Sequence, residues 1–179
     1  SGDPALQDLK LLVAIPEWEV ELPGGSTSSC TDVMAFASNK IGLVAIAVEA
    51  KVDETFGPTL GEKRQGASEG QTERLEYLHR LLGLSTPLPD DIRYQLLHRT
   101  VSAILTARDF HAATAAMLVQ SFSSENLWWD DFEKFCRASG LECRRGSATR
   151  APGVANPQLF LGWCSGEQRF REMDLSRPS

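Results

Sequence analysis

No stretch of this chain reaches the roughly twenty consecutive apolar residues that a membrane helix needs, so no membrane partner is expected. No basic segment followed by an apolar one opens it, so no secretory signal is read there. Cysteine is sparse: Cys30, Cys136, Cys143 and Cys164 are scattered without a C-x-x-C pair. That excludes a disulfide framework of the small secreted kind and predicts reduced thiols in a cytoplasmic protein. With three histidines and no Cys/His cluster, a zinc site is not expected. Positive charge is short as well, with 18 Lys and Arg against 24 Asp and Glu and a formal net charge of −6. A protein that coats nucleic acid without specificity needs clustered positive charge, and this chain has little. Arg144, Arg145 and Arg150 fall close together, but such a run reads first as a solvated, flexible loop.

What is present is an ordinary globular composition, 42% hydrophobic and 23% charged, above the range of disordered chains. At 179 residues the length suits one domain with a sizeable core and is short for two. No internal repeat or linker divides residues 1–179.

Leu6, Leu9, Leu12 and Val13 predict a short amphipathic helix over residues 4–13. Trp18, Val20 and Leu22 then alternate with Glu17, Glu19 and Glu21, the period of a half-buried strand stopped by Pro23-Gly24-Gly25. A Gly/Ser/Thr-rich loop runs to Thr31, and Asp32 is expected to open a second strand through Phe36. Residues 41–52, IGLVAIAVEAKV, are apolar on both faces and predict a central strand covered on both sides. Residues 56–70 read as a loop, and residues 71–82 as a helix closed by Gly83. A longer helix is expected over 90–108, with a polar stripe of Gln95, His98, Arg99, Ser102 and Thr106. A strand at 115–122, a helix at 126–138 and a strand at 158–163 complete the pattern. Short connections make the first three strands an antiparallel meander, and the helical crossover makes the fourth parallel to its neighbour.

The chemistry concentrates in the third strand. Glu49 and Lys51 stand two residues apart, so their side chains leave the same face as Ala45 and Ala47. Burying a lone carboxylate or ammonium costs several kcal/mol, so both in the most apolar strand need a reason. A self-satisfying ion pair at the strand's end is the plainer reason. Asp32, opening the preceding strand, and the VAIAV run leading into the pair point to a site instead.

Asp32, Glu49 and Lys51 in this setting resemble the PD-(D/E)xK superfamily of nucleases. The stretch LPGG…TDVMAFA…VAIAVEAKVDETFGP is similar to a bacterial branch of that superfamily whose substrate is unknown. The resemblance implies an α/β fold with a restriction-endonuclease-like αβββαβ core, from about Pro4 to Phe122. A mixed sheet flanked by helices would carry a C-terminal helix-strand extension. It further implies Mg²⁺ or Mn²⁺ held by Asp32, Glu49 and the backbone carbonyl of Ala50, all hard oxygen donors. Lys51 would act on the attacking water at a DNA phosphodiester. Two positions depart from the pattern: Thr31 stands where the family has Pro, and no Gln-x-x-x-Tyr follows the lysine.

Arg74, Gln95, His98, Arg99 and Gln120 are candidate substrate contacts. Arg74 lies in an apolar arc from which it could also snorkel to solvent. The stripe of Gln95, His98 and Arg99 is by default the outer side of a packed helix. Gln120 either ends its strand or shares the face of Lys51. Glu17, Glu19 and Glu21 read first as a solvated face, with an extra metal ligand as the alternative. Two function classes remain: a metal-dependent phosphodiesterase acting on DNA, and a catalytically inactive nuclease-like module that binds or regulates. Hydrolysis of a small phosphorylated molecule is a weaker third.

Overall fold

The computed structural model describes residues 2–84 and 86–170. Its six strands are β1 (Lys10–Val20), β2 (Ser29–Ser38), β3 (Leu43–Lys51), β4 (Thr114–Ser121), β5 (Ser147–Arg150) and β6 (Gln158–Ser165). They form one mixed sheet in the order β1-β2-β3-β4-β6-β5. β1, β2 and β3 are an antiparallel meander. β4 lies parallel to both β3 and β6, and β5 closes the far edge antiparallel. Between β3 and β4 come α1 (Leu60–Arg64), α2 (Glu69–Leu81) and α3 (Tyr94–Asp109), and α4 (Trp129–Ala138) follows β4. The fold is therefore α/β, with β3 an interior strand as expected. No helix among the described residues is long and apolar enough to cross a membrane.

The helices pack on one face of the sheet. Ala45, Ala47, Met117, Val119, Leu161 and Trp163 on that face join Leu78 of α2, Leu97, Val101 and Ile104 of α3, and Phe132 and Phe135 of α4 in a single core. The opposite face holds a much smaller cluster of Ala116 and Phe160 under Ala5 and Leu6. Cover on both sides of β3 is expected from the sequence and is found only in part: on the second face Val44 is buried and Ile46 packs on the small cluster, but Ile46, Val48 and Ala50 are only half-buried. Small and β-branched residues on the second face make a strand covered mainly on one side look two-sided.

The N-terminal expectation fails too. Only Pro4–Leu6 is helical, as one 3-10 turn capped by Asp3, and the chain then enters β1. The helical spacing of Leu9, Leu12 and Val13 loses to a ladder with β2 that begins at Lys10↔Ser38 and bulges between Leu11 and Val13. β2 likewise starts at Ser29, so Asp32 is its fourth residue rather than its first. Residues 56–70 contain α1 and the first turn of α2, each with a capping box, Thr59 to Glu62 and Ser68 to Gln71.

Arg150 ends β5, a strand in place of part of the expected flexible loop, Arg144 and Arg145 precede it, and the Arg145 guanidinium lies 5.2 Å from the Trp129 ring centre. Reduced thiols are overturned in part: Cys136 and Cys143 are disulfide-bonded across the end of α4, while Cys30 and Cys164 are free.

Candidate functional site

Glu49 and Lys51 leave β3 on the helix-covered face, and both are buried, 2% and 4% exposed. Lys51 Nζ donates to Glu49 Oε1 at 3.0 Å, reaches exposed Glu54 at 3.8 Å, and lies 5.2 Å from the Phe56 ring centre. The polar stripe of α3 comes down onto this pair. Gln95 Nε2 donates to Glu49 Oε1 at 2.5 Å, and Arg99 Nε donates to Glu49 Oε2 at 2.6 Å. Gln95 and Arg99 are one helical turn apart, so they meet the same carboxylate.

The default placement of this stripe on the outer side of the helix is thereby corrected. Arg99, Ser102 and Thr106 are buried because their partners, Glu49, Ser29 and Trp18, lie on distant strands. The start of α3 is fixed by Tyr94 N–H donating to Pro58 at 3.0 Å and by Arg93 pairing with Asp131 at 2.8 Å.

Asp32 reaches the same strand end from the other side. Its Oδ2 accepts the Ala50 N–H at 2.7 Å, extending the β2–β3 ladder with a side chain where regular pairing stops at Val33↔Val48. The chain is irregular there: Thr31 and Met34, three residues apart, are both fully buried, opposite Trp18 and Ile15, which both pack on the main core, and Glu17 has φ of 52°. That break in alternation takes Asp32 out of the regular pleat.

The implied divalent ion can be tested on these donors. Mg²⁺ needs free hard oxygens in an open arrangement. Both Glu49 oxygens are engaged by hydrogen-bond donors, two of them cationic. One Asp32 oxygen is taken by a backbone N–H, and no group of three His, Cys, Asp or Glu side chains able to hold a metal forms among the described residues. As arranged, these residues do not fit the ion.

One hollow opens beside the pair and a second adjoins it. The first, about 420 Å³, is lined by Lys51, Glu54, Phe56, Tyr94, Gln95 and His98 among others. The second, about 570 Å³, lies between the loop of residues 24–30 and the helices α2 and α3, and Arg74, His98 and Arg99 line it. Lys63, Tyr94 and His98 belong to both. Burial, followed by the charges of Arg99, Arg74 and Lys63, pushes the His98 pKa down to about 3, so its ring is neutral.

Of the predicted contacts, Arg74, Gln95, His98 and Arg99 therefore come together with Lys51 along one cleft. Gln120 does not: it is in register with Ala50, on the sheet face opposite Lys51. Glu17, Glu19 and Glu21 are exposed, as a solvated face should be. Sequence reasoning missed Lys63, Tyr94 and Ser29. Ser29 Oγ joins Arg99 Nη1 at 2.9 Å and His98 Nδ1 at 2.8 Å, and the Gly/Ser loop before it was the available signal.

Over residues 1–168 the chain matches the model of a family described as a domain of unknown function, DUF6946, and it belongs to that family. No curated protein and no solved structure matches it.

Proposed function

We propose that this chain is a nuclease-like binding module that holds a phosphodiester chain, a strand of DNA, in the cleft beside Glu49 and Lys51 without metal-assisted cleavage. The observation that carries this reading is the closure of Glu49. Lys51, Gln95 and Arg99 use both its oxygens, so one buried negative charge faces two buried positive ones. The excess of buried positive charge there favours an anion over a divalent cation, although exposed Glu54 stands 3.8 Å from Lys51 at the rim. The cleft then offers Lys51 and Lys63 to phosphate oxygens and half-buried Tyr94 to a base. The overall charge of −6 disfavours a duplex and suits one strand lying in a cleft.

A second reading, the Mg²⁺-dependent phosphodiesterase, is supported by the layout. Glu49-x-Lys51 ends an interior strand parallel to β4, and Asp32 reaches the neighbouring residue, Ala50. Fluorescence anisotropy of a labelled single-stranded oligonucleotide, in EDTA and again in Mg²⁺, separates the two. The binding reading expects saturable, salt-sensitive binding in EDTA that weakens in Lys51→Gln, and intact oligonucleotide in Mg²⁺. Cleavage that needs Mg²⁺ and disappears in Glu49→Gln would establish the hydrolase instead.

A further inference from the structure

The larger hollow has a charge character found nowhere else in the cleft. Lys63, Arg74 and Arg99 line it, and no Asp or Glu is among its lining residues, in a chain whose net charge is −6. Arg99 spends Nε on Glu49 and Nη1 on Ser29. Arg74 donates through Nε to the Pro23 carbonyl at 2.8 Å and through Nη2 to the Leu22 carbonyl at 3.1 Å. Its charge is thus held in place by neutral groups, with no carboxylate among the described residues paired to it. Lys63 lies 5.2 Å from the Tyr94 ring centre, a contact that likewise leaves its charge intact.

The wall opposite these cations is built to stay put. Gly24 has φ of +76°, and a Cβ there would lie 1.9 Å from the Gly70 carbonyl oxygen, so loop and helix touch backbone to backbone. The Arg74 bonds fasten the same loop to α2. A preorganised, cation-lined hollow loses little on binding to ordering its own groups. Its volume of about 570 Å³ suits a nucleotide-sized group.

From this we infer that the hollow binds a phosphate monoester, whose terminal dianion Lys63, Arg74 and Arg99 would share. The inference rests on the binding reading above and deepens it, making the cleft's ligand a strand that carries a terminal phosphate. A free mononucleotide presents the same dianion, and the test separates the two sources.

His98 is the reporter, because its ring borders the hollow and feels all three cations. Its ring resonances are followed by NMR during titration with inorganic phosphate and with thymidine 5′-monophosphate, using thymidine as control. Both phosphates should move the resonances and thymidine should not. Lys63→Gln, which removes no side-chain hydrogen bond among the described residues, should weaken phosphate binding about tenfold, the worth of one charge-assisted contact. Arg74→Gln should weaken it too, and unchanged backbone resonances of residues 24–30 would show that the loop has kept its place.

Anisotropy with 5′-phosphorylated, 3′-phosphorylated and hydroxyl-ended oligonucleotides gives the second arm. Tighter binding of a phosphorylated end identifies a strand as the source, and a response to the free monoester alone identifies a mononucleotide. His98 resonances unmoved by phosphate, or phosphate binding unchanged in both variants, overturns the inference. Hydroxyl-ended strands that still bind in EDTA would then leave the proposed function standing, so the two failures are distinct.

Discussion

At the β3 end of the cleft, Glu49 meets Lys51, Gln95 and Arg99 within 3.0 Å, and one carboxylate holds both an ammonium and a guanidinium in the interior. At the loop end, Arg74 is held by two backbone carbonyls and Lys63 by a tyrosine ring, so positive charge is kept in place and left uncancelled. Both ends hang on α3, which sends Arg99 into each. The difference separates two jobs that sequence motifs tend to merge. A buried ion cluster fixes strand, helix and loop relative to one another. A set of cations without acids is where a ligand's charge has reason to go.

The largest effect expected from this contrast is on stability. Glu49→Ala would leave buried Arg99 without its carboxylate and Lys51 with only exposed Glu54 at 3.8 Å, and should destabilise the fold by about 3–5 kcal/mol. Urea unfolding measures it. A loss below about 1 kcal/mol would mean that the cluster opens to water and is not a paired, buried one.

Next in size is a pH effect centred on His98. An unfolded histidine takes up its proton near 6.5, whereas the folded ring resists until about 3. Between those values the unfolded chain binds more protons, so stability should fall as pH drops from about 6.5 toward 3. At about 1.4 kcal/mol for each pH unit separating the two protonation midpoints, the loss is on the order of a few kcal/mol. His98→Gln should flatten that limb. If phosphate occupies the hollow, its charge should favour the protonated ring and reduce the slope in wild type but not in His98→Gln.

Lys63→Gln sharpens the contrast from the other side. Its side chain makes no ion pair among the described residues, so the unfolding midpoint should barely move, by less than about 0.5 kcal/mol, while phosphate affinity falls. Equal losses of stability and affinity would make Lys63 part of the frame rather than of the ligand site.

The smallest effect is expected at Thr31, whose hydroxyl is fully buried with no hydrogen-bond partner in the described structure. Thr31→Val removes that orphan without changing shape and should be neutral or stabilising by about 1 kcal/mol. Strong destabilisation would show that the hydroxyl has a partner after all.

Much of this arrangement could be read from the sequence. Period and composition located β3, the meander, the parallel crossover and the helices that became α2, α3 and α4. The two-residue spacing in a strand is enough to put Glu49 and Lys51 on one face. Features that depend on distant partners stayed hidden. The stripe of α3 looks solvent-facing because nothing local reveals that Glu49 and Ser29 await it. Leu9, Leu12 and Val13 carry helical spacing, yet the ladder to β2 that begins at Lys10 draws Leu12 and Val13 into a strand. The Cys136–Cys143 bridge spans only seven residues, a spacing outside the familiar cysteine motifs. The hollow itself is assembled from three separate segments, so no single motif could announce it.

The central claim is that Glu49 is committed to its protein partners and is not a metal ligand. Calorimetric titration of Mg²⁺ and Mn²⁺ into wild type and into Asp32→Asn tests it most directly. The expected result is heats of dilution only, the same for both proteins. Saturable uptake by the wild type that is lost in Asp32→Asn would contradict it and make Asp32 and Glu49 the metal site of a phosphodiesterase.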